Sequence, residues 1–275
     1  MTVHLRLLWL ACAVVLATLF TLIAAPRAAQ PQAQEQAQTQ DDMPVIAAAS
    51  TLQFALPDIA AAFQADTGYA VRLSFGATGN LVRQIRAGAP YQLLLAADET
   101  YVVDLARDRI TPDAGLLYAQ GRLVLIAPKG SILAVDETLD GLEQALAEGR
   151  ITRFAIANPD HAPYGMRARE ALQHRDLWNP LQPLLVLGEN VSQTAQFATT
   201  GNADGGIIAY SLALAPQVAA LGDHALIPAD WHAPLNQRMV LLDGAGPVAQ
   251  AFFDYMQSPQ ARDILARFGF TTPGT

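Results

Sequence analysis

Between Pro44 and Phe270, short apolar runs alternate with segments whose apolar residues recur every three or four positions. The runs Val45–Ala48, Val71–Phe75, Gln92–Ala97, Leu123–Ala127, Phe154–Ala157, Leu184–Leu187, Gly206–Tyr210 and Arg238–Leu242 have the length and content of strands. The segments between them predict helices over 52–66, 81–87, 101–107, 139–148, 166–173 and 193–199, with two closing helices over 248–256 and 259–268. Strands that are apolar throughout are covered on both faces. Alternation with helices of this length argues for largely parallel sheets. The predicted fold class is α/β. About 230 residues with this many strands suit two sheets better than one. No Gly-, Ser- or Pro-rich linker divides the middle of the chain, so the two halves are not simply sequential.

The pattern changes before Pro44. Arg6 precedes an apolar run from Leu7 to Ala25, broken only by Thr18 and Thr21. A positive start followed by such a run reads as an export signal. Its length approaches that of a membrane span, so a retained anchor is the alternative. Residues 26–43 are mostly Gln, Ala and Pro, a spacer too poor in apolar residues to order itself. Under either reading of 1–25, the folded part lies outside the cytoplasm, in the periplasm. Cys12, the only cysteine, belongs to the apolar run. The exported part therefore has no disulfide and no thiolate chemistry.

Charge narrows the function further. The chain of 275 residues is 15% charged, with a formal net charge of −8 and no basic cluster. Nucleic-acid binding needs clustered Lys and Arg to neutralise phosphates, and that is missing. Lys129 is the only lysine, and its Ala-Pro-Lys-Gly setting suits neither a phosphate loop nor a Schiff base. No serine sits in a Gly-x-Ser-x-Gly elbow. The histidines His4, His161, His174, His224 and His232 show no metal-ligand spacing. Asp58, Asp66, Asp98 and Asp104 form no recognisable acid–base pair, and Asp98 reads as the cap of the helix beginning at Glu99. The chain is expected to be no enzyme and to carry no cofactor.

Four junctions between strand and helix carry the remaining chemistry. They are Ala49-Ser50-Thr51, Gly76-Ala77-Thr78-Gly79-Asn80, Pro163-Tyr164-Gly165 and Gly188-Glu189-Asn190-Val191-Ser192. A helix start offers unpaired N–H groups and a partial positive charge. Small residues let a ligand approach the backbone, and Ser or Thr adds a hydroxyl donor. Several such ends together would hold an anion without a cation. The same residues are also ordinary helix caps, and any single junction is explained that way.

The order of these segments resembles the periplasmic molybdate-binding proteins of ABC importers. The resemblance runs through Ala47-Ala48-Ala49-Ser50, Ser74 to Ile85 with Gly88-Ala89-Pro90, and Gln92 to Asp98. It continues through Asn158 to Gly165, Gly188 to Val191, and the closing Phe252 to Phe270. It implies a two-lobe type II periplasmic-binding fold with the ligand in the cleft. Lobe one would be 44–122 plus 236–275, and lobe two 123–235. Ser50 and Thr78 would bind a molybdate or tungstate oxyanion by hydroxyl and N–H, and Tyr164 and Val191 by N–H. These four are the implied contacts to the metal-centred oxyanion. Some members add a tyrosine hydroxyl from the strand matching 206–210. Here Ala209 holds the aligned position and Tyr210 follows it, so a strand reading turns Tyr210 to the other face. Tyr164 offers the alternative hydroxyl. The implied partner is a permease in the inner membrane, served by a monomer. A sulfate or phosphate binder of the same fold is the other reading.

Overall fold

The computed structural model describes residues 43–271. The predicted signal or anchor, the spacer up to residue 42, and Cys12 lie outside the described residues.

The chain first lays down β1 (Val45–Ala49), a 3-10 turn (Ser50–Leu52), α1 (Ala55–Thr67), β2 (Arg72–Gly76), α2 (Thr78–Arg86), β3 (Tyr91–Ala96), α3 (Glu99–Arg107) and β4 (Leu116–Gly121). It continues through β5 (Leu123–Pro128), α4 (Asp140–Ala147), β6 (Phe154–Ala157), α5 (Pro163–His174) and α6 (Trp178–Leu181). Then come β7 (Leu185–Gly188), α7 (Val191–Thr199), β8 (Gly205–Ala209), α8 (Tyr210–Ala213), α9 (Pro216–Ala219) and β9 (Gly222–Leu226). The last elements are β10 (Leu235–Leu241), α10 (Pro247–Tyr255) and α11 (Pro259–Arg267).

These strands form two five-stranded sheets, ordered β2-β1-β3-β10-β4 and β7-β6-β8-β5-β9. Within the first, β1 runs parallel to β2 and β3, while β10 is antiparallel to β3 and β4. Within the second, β6 runs parallel to β7 and β8, while β5 is antiparallel to β8 and β9. The sheets are therefore mixed, with one reversed strand each. In both, that strand is the one on which the chain arrives from the other sheet.

Alternation explains the covering helices. On sheet one, Ile46, Ala48, Leu93, Leu95 and Met239 face one way, packed with Leu56, Phe63 and Phe252 of α1 and α10. Ala47, Leu94, Ala96 and Val240 face the other way, under Leu81, Val82 and Leu105 of α2 and α3. Successive side chains of a strand point to opposite faces, so a continuous apolar run serves both layers. Ala49, Ala77 and Ala97, at the ends of the first sheet's strands, join the core cluster of the second sheet. The lobes meet through these alanines.

Two strands depart from the sequence pattern. β4 and β9 carry Gln120, Asp223 and His224, and both lie at sheet edges. Helix starts also shift. The turn Ser50–Leu52 is 3-10 and α1 begins only at Ala55, whereas α2 begins at Thr78, ahead of its apolar periodicity. Tyr210 is not a strand residue but the first residue of α8.

Candidate functional site

Ser50, Thr78, Tyr164 and Val191 line one cavity between the lobes, together with Thr51 and Ala97. The space, including solvent at its mouth, is about 190 Å³. Ser50 and Thr78 come from the first lobe, at the C-terminal ends of β1 and β2. Tyr164 and Val191 come from the second, beyond β6 and β7. Parallel strands bring their C-terminal ends, and so the following helix starts, to one edge of each sheet.

The capping residues show what these starts are free to do. The N-cap positions of the 3-10 turn, α2 and α5 are Ala49, Ala77 and Ala162, and none has a side chain that accepts from the helix. Alanine cannot satisfy the orphan N–H groups of a first turn, and it leaves room for something else to do so. Ser50 and Thr78 sit one residue inside and are not caps. Of these four starts only that of α7 is capped, by Asn190, whose Oδ1 accepts from Ser192 and Gln193 N–H. Val191 N–H lies before that cap's reach.

The hydroxyls are arranged as donors. Thr78 is fully buried, and its Oγ1 accepts from Ala97 N–H at 3.0 Å. Accepting that bond leaves the Thr78 hydroxyl proton free to be donated elsewhere. Thr51 Oγ1 is buried without a hydrogen-bond partner. Such a group is costly unless a partner arrives. Sequence reading passed over Thr51 because it stands beside Ser50 as one more small hydroxyl residue. Only burial distinguishes it.

The cavity is enclosed by direct bonds between lobes. Ser192 Oγ donates to the Ser50 carbonyl at 2.9 Å, and Ser211 Oγ to the Thr51 carbonyl at 2.9 Å. Gly79 N–H donates to the His161 carbonyl at 3.0 Å. Asn80 Nδ2 bonds Glu189 Oε1, and within the second lobe the His161 ring nitrogen Nε2 lies 3.0 Å from the Glu189 carbonyl oxygen. Behind Ala97, Asp98 caps α3 by accepting from Thr100 N–H, and its other oxygen pairs with Arg167 of α5.

Tyr164 lines the cavity, and its hydroxyl is engaged with the first sheet. Its hydroxyl accepts from Gln237 Nε2 at 3.1 Å, and burial pushes its phenol well above the ordinary range. Tyr210 stands apart from the cavity lining. Its ring packs beside His224, with centroids 5.7 Å apart, and a Cβ on Gly269 would lie 2.5 Å from it. Its N–H is used by the Arg122 carbonyl.

Two α/β lobes joined by two crossings, with a cavity of hydroxyls and helix starts between them, define a two-lobed solute-binding protein of the type II periplasmic-binding fold. The chain belongs to the bacterial extracellular solute-binding protein family, whose sequence profile matches residues 44–271. The molybdate-binding protein ModA of Azotobacter vinelandii is 33% identical over 228 residues, spanning 82% of this chain and 88% of that one. Its namesake in Escherichia coli K12 is 34% identical over 227 residues, spanning 82% and 87%. The solved Azotobacter vinelandii periplasmic molybdate-binding protein superposes with a TM-score of 0.74 at 29% identity, covering 84% of this chain and 99% of that one. The resemblance read from the sequence motifs is borne out.

Proposed function

We propose that this protein is the exported substrate-binding component of an ABC importer, and that it captures molybdate or tungstate in the cavity between its lobes. Ser50 and Thr78 supply hydroxyl and N–H donors, and Tyr164 and Val191 supply N–H donors. Thr51 supplies the fifth contact, a third hydroxyl, in place of Tyr210. The single observation that carries the reading is the set of alanine N-caps. Three first turns are left without a side-chain acceptor, and all three open on one cavity. A doubly charged anion satisfies them together, and helix starts favour it.

Capture is a closure. The anion meets one lobe first, and the second lobe completes the shell. A buried anion is tolerated only when its oxygens are hydrogen-bonded, so occupancy selects the closed form. The closed protein docks on an inner-membrane permease, which opens it. Sulfate carries the same charge and shape, so discrimination rests on size.

Calorimetric titration of the purified protein with molybdate, tungstate, sulfate and phosphate tests this. One-to-one binding of the first two in the micromolar to nanomolar range, about −8 to −12 kcal/mol, with sulfate silent at millimolar levels, is expected. Binding of sulfate or phosphate alone moves the protein to another oxyanion importer. Silence from all four removes the function.

A further inference from the structure

The phenol of Tyr164 reaches the place where the lobes are joined. Gln237 Nε2 donates to its hydroxyl at 3.1 Å, and the Tyr118 hydroxyl donates to Gln237 Oε1 at 2.9 Å. All three side chains are buried, Gln237 completely. Tyr164 belongs to α5, over the second sheet, whereas Tyr118 and Gln237 lie on β4 and β10 of the first. A Cβ built on Gly121 would fall 1.9 Å from the Tyr164 hydroxyl, so glycine at 121 is what makes room for the phenol. Gly121 is the last residue of β4, where the chain leaves sheet one, and β10 is where it returns. The phenol therefore lies against both strands through which the chain leaves and re-enters sheet one.

The geometry points to Tyr164 as a positioning residue that ties the pivot to the anion site, and this rests on the reading of Tyr164 N–H as an anion donor. One residue has its N–H in the cavity and its hydroxyl pinned at the hinge. The chain Tyr118–Gln237–Tyr164 fixes where α5 starts relative to sheet one. Closure then brings the N–H of Tyr164 to the same point each time. A buried polar network with every member bonded specifies one arrangement, and a broken one admits several. With the chain cut, the closed angle is no longer unique, and the anion escapes faster.

The test measures molybdate affinity and release rate in the full protein, beside thermal unfolding without ligand. Tyr164→Phe keeps the N–H, yet binding is expected to weaken about tenfold, mostly through faster release. The triple change Tyr118→Phe, Gln237→Met and Tyr164→Phe removes donors and acceptors together, which restores stability without restoring the bonds. Its unfolding should return toward wild type while its affinity stays about tenfold low. Gly121→Ala displaces the phenol from the other side and should weaken binding similarly. Wild-type affinity in Tyr164→Phe or Gly121→Ala overturns the inference. So does a triple variant whose affinity recovers with its stability, because the chain is then only structural. If wild type itself binds neither molybdate nor tungstate, the oxyanion reading fails, and this inference falls with it. That result is distinct from wild-type binding that the variants leave unchanged.

Discussion

Asp98 and Arg167 form an ion pair across the cleft, 2.5 Å between Oδ2 and Nη2, with side chains only 3% and 13% exposed. Asp98 follows Ala97 of the cavity lining, just beyond β3, and Arg167 lies one helical turn beyond Tyr164. Opening the lobes separates the two charges into water, and closing them desolvates both. Removing one partner strands the other in the closed form alone. Arg167→Met should therefore weaken molybdate binding at least tenfold, whereas Asp98→Asn combined with Arg167→Met should recover most of it. A double-mutant cycle by calorimetry checks this, and additive losses would mean that the pair does not govern closure.

Gly79 offers a cleaner way to hold the lobes apart. A Cβ there would meet the His161 carbonyl oxygen of the opposite lobe at 2.7 Å. Within α2 itself, alanine is the better helix former, by up to about 1 kcal/mol. Gly79→Ala is thus expected to leave ligand-free unfolding unchanged or raised while affinity collapses. Titration and a melting curve on the same sample decide the matter. Loss of both together would point to a folding defect instead.

Thr78→Val keeps the shape of the side chain and deletes its hydroxyl. A hydrogen bond to a charged group contributes about 1.5–3 kcal/mol, so affinity should fall roughly ten- to hundredfold. Thr78→Ser keeps the donor and should bind close to wild type. Both are read by titration.

Thr51→Val separates ligand contact from structure. The hydroxyl has no partner within the protein, so its loss relieves an unsatisfied buried group. Stability without ligand should hold or rise, and oxyanion affinity should fall about tenfold. Unchanged affinity would return the fifth contact to another residue.

The histidines set an acid limit. Burial holds His232 below its ordinary value of 6.5, against the opposing effect of the Ala233 carbonyl, and burial lowers His224 likewise. A group that resists protonation only when folded stabilises the fold fully above the unfolded value. That contribution is lost as pH falls through 6.5 toward the folded value. Glu99, held low by Asn236 and Arg238, adds a second loss within the carboxylate range. Unfolding midpoints taken from pH 8 down to 4 should bend first near 6.5, and His232→Asn should flatten that first bend.

The α/β alternation is legible because each buried strand reads as an unbroken apolar run and each helix as a stripe. The loops around Ser50, Thr78, Tyr164 and Val191 stand out for their small residues at strand–helix junctions. Edge strands are less visible. β9 lies at a sheet edge with Asp223 exposed and His224 half-buried, so the apolar signal vanishes. The role of Thr51 depends on burial, and the Asp98–Arg167 pair joins residues 69 positions apart, which no local pattern encodes. Tyr210 misleads for a different reason. Its neighbours Ile207 to Ala209 have strand character, yet α8 begins at Tyr210 and its ring packs close beside Gly269.

The reversed strand in each sheet also governs when the protein is able to fold. β4 has β10 as its only neighbour in the sheet, and its residue Ala119 pairs with Gln237. While the chain is being made, β4 therefore has no strand to lie against until β10, Leu235–Leu241, has emerged. Contacts this distant in sequence form slowly, because the loop between them must close first. That delay keeps the leading half of the chain from locking into a finished lobe before the closing strand is present.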